Sequence, residues 1–314
     1  MALNYLDNPW RPAPYRIFKD SSLSKTVYDN GYKVHGRLSD SAISDLKKLY
    51  SETHDFSDKA QGGMFYSVYS KDLSYREKIH KTISQILEPF IAEHFTDYRV
   101  MLCSFVVKVS GPDSEFYLHQ DTTGLDEWVH SPVNIWIPLL DVNENSGCLG
   151  IVPGSHGLFS PYRSISFPSP FDAIQGTVKK YLRPLPMQEG EVLLFDNRLI
   201  HNSYKNESGH TRVAVVCGLF PKNAQLITCH KKEPRCGGKV EMIAHSDDFM
   251  FTYTNFLIDC QKRPHVGSSL GFLDDIYHEI SAEEFEALCE VKEISQVNGY
   301  SPGETHCVLI EEPR

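Results

Sequence analysis

Between residues 99 and 220 the chain passes through six short β-rich runs: RVMLCSFVVKVS, EFYLHQD, VNIWIPLLDV, CLGIVPGS, EVLLFD and TRVAVVCGLF. Turn-forming clusters (SGPDS, NENSG, MQEGE, NESGH) punctuate them. Many short strands at this spacing, with no helices alternating between them, predict a sandwich or a closed double-stranded barrel rather than β-α units. The chain has 314 residues, 41% of them apolar, which is enough to fill such a core.

The flanks read differently. GYKVHGRL (31–38) alternates like a strand. SDSAISDLKKLYSET predicts a helix with Ser39 or Asp40 as N-cap and an apolar stripe of Ile43, Leu46, Leu49 and Tyr50. SYREKIHKTISQILEPFIAEHF predicts a second helix, apolar along Ile79, Ile83, Ile86, Leu87 and Phe90. Pro89 is expected to kink it or start a new segment. After residue 222 the texture is mixed, and SAEEFEALCEV predicts a helix opened by a Ser281–Glu284 capping box. There is no internal repeat and no low-complexity linker. The expectation is one domain over 1–314: a helical and strand support (1–99), a β core (100–221) and a C-terminal extension (222–314).

A net charge of −10 argues against a general nucleic-acid or membrane-surface binder, which needs a basic face. The start MALNYLDNPWRPAPY lacks a signal-peptide pattern, no apolar run reaches the length of a membrane span, and IEEPR is not a peroxisomal address. The expected location is cytoplasmic. The eight cysteines are scattered without a C-x-x-C, as in reduced thiols. Cys229, His230 and Cys236 form the tightest Cys/His group, but their spacing fits no standard zinc module.

The chemistry centres on YLHQDT, residues 117–122. Residues i and i+2 of a strand share a face, so His119 and Asp121 can grip one metal ion or simply hydrogen-bond to each other. The triplet alone decides little. Eighty residues on, GEVLLFDNRLIHNSY places His201 after a strand and a turn, and Arg212 heads the next strand. Two neutral imidazoles and one carboxylate make the facial triad of non-haem Fe(II) oxygenases, with three positions open. A chelating 2-oxo acid fills two of them and O2 the third. Its far carboxylate suits the planar fork of an arginine. A zinc hydrolase remains the competing reading of the same ligands, and it has no use for Arg212.

These residues resemble the phytanoyl-CoA dioxygenase family, which uses Fe(II) and 2-oxoglutarate. The resemblance runs from DNGYKVHGRLSDSAISDLKKL to RVAVVCGLF. It is carried most specifically by LHQD, NIWIPLLDVNENSGCLGIVPGSH, GEVLLFDNRLIHNS and the arginine eleven residues after the second histidine. It implies a mainly β fold with flanking helices around a double-stranded β-helix (jelly-roll, cupin-like) core. It implies iron ligation by His119, Asp121 and His201, and a 2-oxoglutarate clamp at Arg212. Trp136, Ser203 and Met101 would line the co-substrate pocket.

The implied enzyme is a dioxygenase that takes Fe(II), 2-oxoglutarate and O2. It hydroxylates, desaturates or cyclises a small metabolite or natural-product intermediate, with release of succinate and CO2. A carboxylate at position 121 argues against a halogenase, which leaves that coordination position to chloride. A silent metal- and oxo-acid-binding protein on the same fold is the other alternative.

Two departures stand out. Where many relatives carry Arg-x-Ser, this chain has RVA, with Ala214. The family's upstream lysine has no clear match; Tyr66, Ser67 or Tyr69 are candidates to replace it. His156, in PGSH, is expected to be a turn or pocket-wall residue rather than a ligand. The loops at 122–131 and 157–181 flank the site in this fold, so Trp128, Phe159, Tyr162, Arg163 and Phe171 are candidates for substrate contact. Lys179 and Lys180 form a local basic patch.

Overall fold

The computed structural model describes residues 17–54, 63–158, 162–164, 166, 168–232, 238–253, 262–275 and 279–294. Its strands are β1 (Tyr32–Arg37), β2 (Met64–Tyr66), β3 (Tyr98–Lys108), β4 (Phe116–His119), β5 (Val133–Pro138), β6 (Leu149–Ile151), β7 (Arg183–Leu185), β8 (Glu191–Asp196), β9 (His201–Ser203) and β10 (Arg212–Pro221). These are followed by β11 (Ile227–His230), β12 (Lys239–Ala244) and β13 (Ser268–Asp274). The larger sheet has the order β1-β8-β5-β10-β3-β2, the smaller β4-β9-β6-β7, and a third sheet β11-β12-β13. From β3 to β10 the chain passes back and forth between the first two sheets, and its pairings are antiparallel. That winding is the double-stranded β-helix expected from the sequence.

Period-two alternation sorts the larger sheet into two faces. Cys103, Phe105 and Val107 of β3, Val133, Ile135 and Ile137 of β5, and Val213, Val215 and Cys217 of β10 share one core with the flanking helices. Those helices are α1 (Ser21–Asn30), α2 (Asp40–Thr53) and α3 (Leu73–His94). Ser39 caps α2 by accepting from the Ala42 N–H, and Ile43, Leu46 and Leu49 are buried beneath it. Ile79, Ile83 and Leu87 of α3 are fully buried against the sheet. Each such side chain contributes about 1.5–3 kcal/mol. Pro89 lies inside α3 and does not end it.

The alternate residues of the same strands, among them Asn134, Trp136, Arg212, Ala214 and Val216, turn inward between the two sheets. The expected capping box at Ser281 and Glu284 opens the helix Ala282–Val291. This helix packs through Phe285 and Leu288 on a separate apolar cluster with Leu118, Phe171 and Tyr181. The mixed texture after residue 222 resolves largely into the third sheet. Among the described residues no helix is long and apolar enough to cross a membrane.

Candidate metal and co-substrate site

Strands β4 and β9 pair so that His119 lies directly across from His201. Directly opposed residues of an antiparallel pair present their side chains on one face. The two imidazole rings therefore sit with centroids 4.2 Å apart. Asp121 follows one strand step later, just past the end of β4, and its backbone N–H donates to the Asn197 carbonyl at 2.9 Å. Ligand atoms of His119, Asp121 and His201 all lie within 4.8 Å of one another, the one such group of three among the described residues.

The hydrogen bonds prepare this trio for a cation. Nδ1 of His119 meets the Tyr117 carbonyl at 2.9 Å, and Nδ1 of His201 meets the Leu199 carbonyl at 2.9 Å. A carbonyl only accepts, so each Nδ1 carries the proton and each Nε2 keeps a free lone pair. Burial, reinforced by the His119 charge, pulls His201 down to about 4, so its ring is neutral at ordinary pH. Burial pushes the Asp121 carboxyl up. Its neighbours His119, His201 and Arg163 outweigh that and hold it below the usual range. The result is two imidazole Nε2 atoms and one carboxylate facing a common point, the donor set that suits Fe(II).

The same cavity, about 390 Å³, is lined by Arg212. This side chain is 1% exposed. Nη1 donates to the Val106 carbonyl at 3.2 Å, the guanidinium lies 5.6 Å from the Trp136 ring centroid, and Nε has no partner. Burial lowers its pKa to about 10, which still leaves it charged. Among the described residues no carboxylate pairs with it. A buried cation with an unused donor, facing a cavity that also holds a metal-type triad, fits a carboxylate-bearing co-substrate. Trp136, Ser203 and Met101 line this cavity, as do Tyr66 and Tyr69. Ser67 is engaged elsewhere, on Ser104 and the Phe105 N–H.

The flanking-loop candidates for substrate contact that the structure describes make other contacts. Trp128 is half-exposed and donates from Nε1 to the Tyr162 hydroxyl at 3.1 Å. Arg163 makes two bonds to the buried Glu127 carboxylate, at 2.8 and 2.7 Å, and a third to the Asp121 carbonyl at 2.7 Å. It thus braces the ligand-bearing loop. Phe171 is fully buried in the cluster under the C-terminal helix. None of these four lines the cavity. Phe159 lies outside the described residues, as does Cys236. His156 sits in the turn after Gly154, bonded through Nε2 to the Tyr28 carbonyl at 2.7 Å, away from the triad.

Two residues escaped sequence reasoning. Asn134 donates from Nδ2 to Asp121 Oδ2 at 2.6 Å. Lys108, fully buried at the end of β3, donates to Ser203 Oγ at 2.7 Å and to the carbonyls of Ser203 and Tyr204. For Asn134 the signal was a lone amide inside the apolar strand β5; Lys108, the last residue of a strand that also carries Arg99 and Ser104, gave none. Burial and the adjacent Arg212 charge pull Lys108 down to about 6, against the opposing pull of Glu115 and Cys148.

An unfolded lysine titrates near 10.4. Between about 6 and 10.4 the unfolded chain therefore binds the extra proton, and Lys108 adds stability as pH rises through that window. Denaturant melts of the wild type and Lys108→Met from pH 6 to 9 should show the wild type gaining on the variant, by at most about 1.4 kcal/mol per pH unit. A difference that stays flat with pH would show that Lys108 titrates like an exposed lysine.

A family model, Phytanoyl-CoA dioxygenase (PhyH), matches residues 46–214. Phytanoyl-CoA dioxygenase domain-containing protein 1 of Mus musculus is 33% identical over 112 residues, which cover 32% of this chain and 38% of that protein. Phytanoyl-CoA dioxygenase of Arabidopsis thaliana is 28% identical over 153 residues, 46% of this chain and 50% of that protein. The chain spans half or less of the length of these curated relatives. Among solved structures, EctD from S. alaskensis with 2-oxoglutarate and 5-hydroxyectoine aligns with a TM-score of 0.49 at 16% identity, covering 72% of this chain and 84% of that one. The carbocyclase SnoK from nogalamycin biosynthesis aligns with a TM-score of 0.49 at 19% identity, covering 66% and 86%.

Proposed function

Because the chain belongs to the phytanoyl-CoA dioxygenase family, we propose that it is an Fe(II)- and 2-oxoglutarate-dependent oxygenase acting on an unactivated C–H bond of a small molecule. The observation that carries this reading is the joint placement, around one cavity, of the His119–Asp121–His201 trio and a buried arginine without a carboxylate partner. Fe(II) with 2-oxoglutarate and O2 supplies the oxidising chemistry, with succinate and CO2 as by-products. His119 and His201 hold the metal through Nε2 and Asp121 through a carboxylate oxygen. Arg212 takes the far carboxylate of 2-oxoglutarate, with Trp136 beneath the guanidinium.

Tyr66 replaces the missing lysine as a second contact to that carboxylate. It lines the cavity within electrostatic reach of both Arg212 and Asp121. Burial first, then Tyr69 and Asp121, raise its pKa against Arg212, so its hydroxyl stays a donor.

The cavity also bears on substrate. Its ionisable lining, tyrosines aside, consists of His119, Asp121, His201 and Arg212, all of which the metal and co-substrate occupy. The part of the substrate that enters is therefore uncharged. Leu226, Thr228 and Met250 wall the cavity from beyond the family match, so the C-terminal extension helps choose the substrate. A small metabolite or natural-product intermediate suits this space, and placement against the metal decides between hydroxylation, desaturation and ring closure.

The test is anaerobic titration with Fe(II) and then 2-oxoglutarate, followed by an aerobic screen of neutral metabolites scored by succinate release. Saturable uptake of both and substrate-stimulated succinate are the expected results. Uptake with no succinate under any condition would identify a binding protein instead.

A further inference from the structure

All six residues of β5, VNIWIP, are buried. Asn134 is the one polar side chain among them and is 8% exposed. A buried amide is costly unless it is hydrogen-bonded, and its partner here is an expected metal ligand. The bond joins Asn134 Nδ2 to Asp121 Oδ2 at 2.6 Å. An ionised carboxylate only accepts, so the amide must present its nitrogen. The other oxygen, Oδ1, is the one turned toward the imidazoles, 3.6 Å from His119 Nε2.

The Asp121 main chain is held as firmly: its N–H donates to Asn197, and its carbonyl accepts from Arg163. With the backbone fixed, the amide decides how many oxygens the carboxylate can offer. Opposite Asn134 in the neighbouring strand β10 is Gly218.

We propose that Asn134 is a positioning residue that keeps Asp121 a one-oxygen ligand, so that the coordination positions needed by 2-oxoglutarate stay open. The inference rests on the oxygenase reading above. A carboxylate released from Asn134 can turn both oxygens to the metal. The second oxygen then competes with the two-point chelate of the oxo acid, while the metal itself loses nothing. The signature is selective: iron uptake is kept and co-substrate binding is damaged.

The experiment compares wild type and Asn134→Leu, a substitution of similar volume without the donor, under anaerobic conditions. Three quantities are read: Fe(II) affinity, 2-oxoglutarate affinity of the iron-loaded protein, and the visible charge-transfer absorption that appears when the oxo acid chelates iron. Fe(II) affinity should stay within about three-fold. The 2-oxoglutarate affinity should fall about ten-fold or more, the scale on which residues behind metal ligands act, and the absorption band should shift or weaken at saturating iron.

A merely structural role would lower the melting temperature and both affinities together and leave the band position alone. If Asn134→Leu does not fold, Asn134→Ala, which only empties space, takes the same measurements. A variant whose band and 2-oxoglutarate affinity match wild type overturns the inference alone. A wild type that binds Fe(II) but shows no band overturns the oxygenase reading, and the inference with it.

Discussion

His201→Ala is expected to abolish Fe(II) binding, and all turnover with it; His119→Ala should do the same. The two histidines are directly opposed across β4 and β9, and each ring is pinned through Nδ1 to a carbonyl two residues earlier in the chain. That pinning fixes the tautomer and aims Nε2 at the same point, so little ordering remains for the metal to impose. Deleting one imidazole leaves an imidazole and a carboxylate, two donors against water for a labile divalent ion.

Loss of a direct ligand should cost more than about a hundred-fold in Fe(II) affinity, beyond the most that loss of an outer partner costs. Anaerobic Fe(II) titration by equilibrium dialysis, paired with succinate release, measures both effects. The His201 site is buried, so a thermal melt should accompany the titration to show that the fold survives. Wild-type iron affinity in a folded His201→Ala protein would remove the triad assignment.

The β core was legible because its strands are short, apolar and fenced by turn residues, and their period of two divides them between the helix-facing core and the barrel interior. The helices α2 and α3 were legible from their apolar stripes. Strand β2, three residues long, and the third sheet were not, because segments so short or so mixed in texture carry no periodic signal of their own.

The site divides the same way. His119, Asp121, His201 and Arg212 were readable from residue type and spacing, and one cavity collects them. Asn134 and Lys108 were not readable, because what they do depends on register. Asn134 reaches Asp121 only because β5 faces the inside of the barrel at that step. Lys108 meets Ser203 across 95 positions of sequence. Arg163 depends on the same long-range closure: a cation in a flanking loop, its guanidinium is held by Glu127, 36 positions away. Local pattern reports what a side chain can do; strand pairing and loop closure decide what it meets.

Arg212→Lys is expected to raise the 2-oxoglutarate concentration needed for half-saturation by about ten- to a hundred-fold, with Fe(II) affinity little changed. Arg212 heads β10 and is buried, with one nitrogen on the Val106 carbonyl, Trp136 near the guanidinium face and Nε unpaired. Its fork can therefore give one arm to the barrel and keep others for a carboxylate. Lysine keeps the charge but offers a single compact ammonium, which cannot hold both the carbonyl and a two-oxygen anion in fixed geometry. Losing one charge-assisted contact costs on the order of 1.5–3 kcal/mol, which corresponds to that range of affinity.

The lysine also brings its ammonium beside Lys108, whose charged form Arg212 already disfavours. That works in the same direction, because the burial that holds Lys108 down to about 6 also disfavours a charged lysine at position 212. Iron binding is the internal control, since the imidazoles and Asp121 are untouched. Co-substrate titration of the iron-loaded variant, read beside its iron titration, separates the two effects. Equal losses in both would mean that the substitution disturbs the barrel, and an unchanged 2-oxoglutarate response would mean that another residue, Tyr66 first among them, holds the carboxylate.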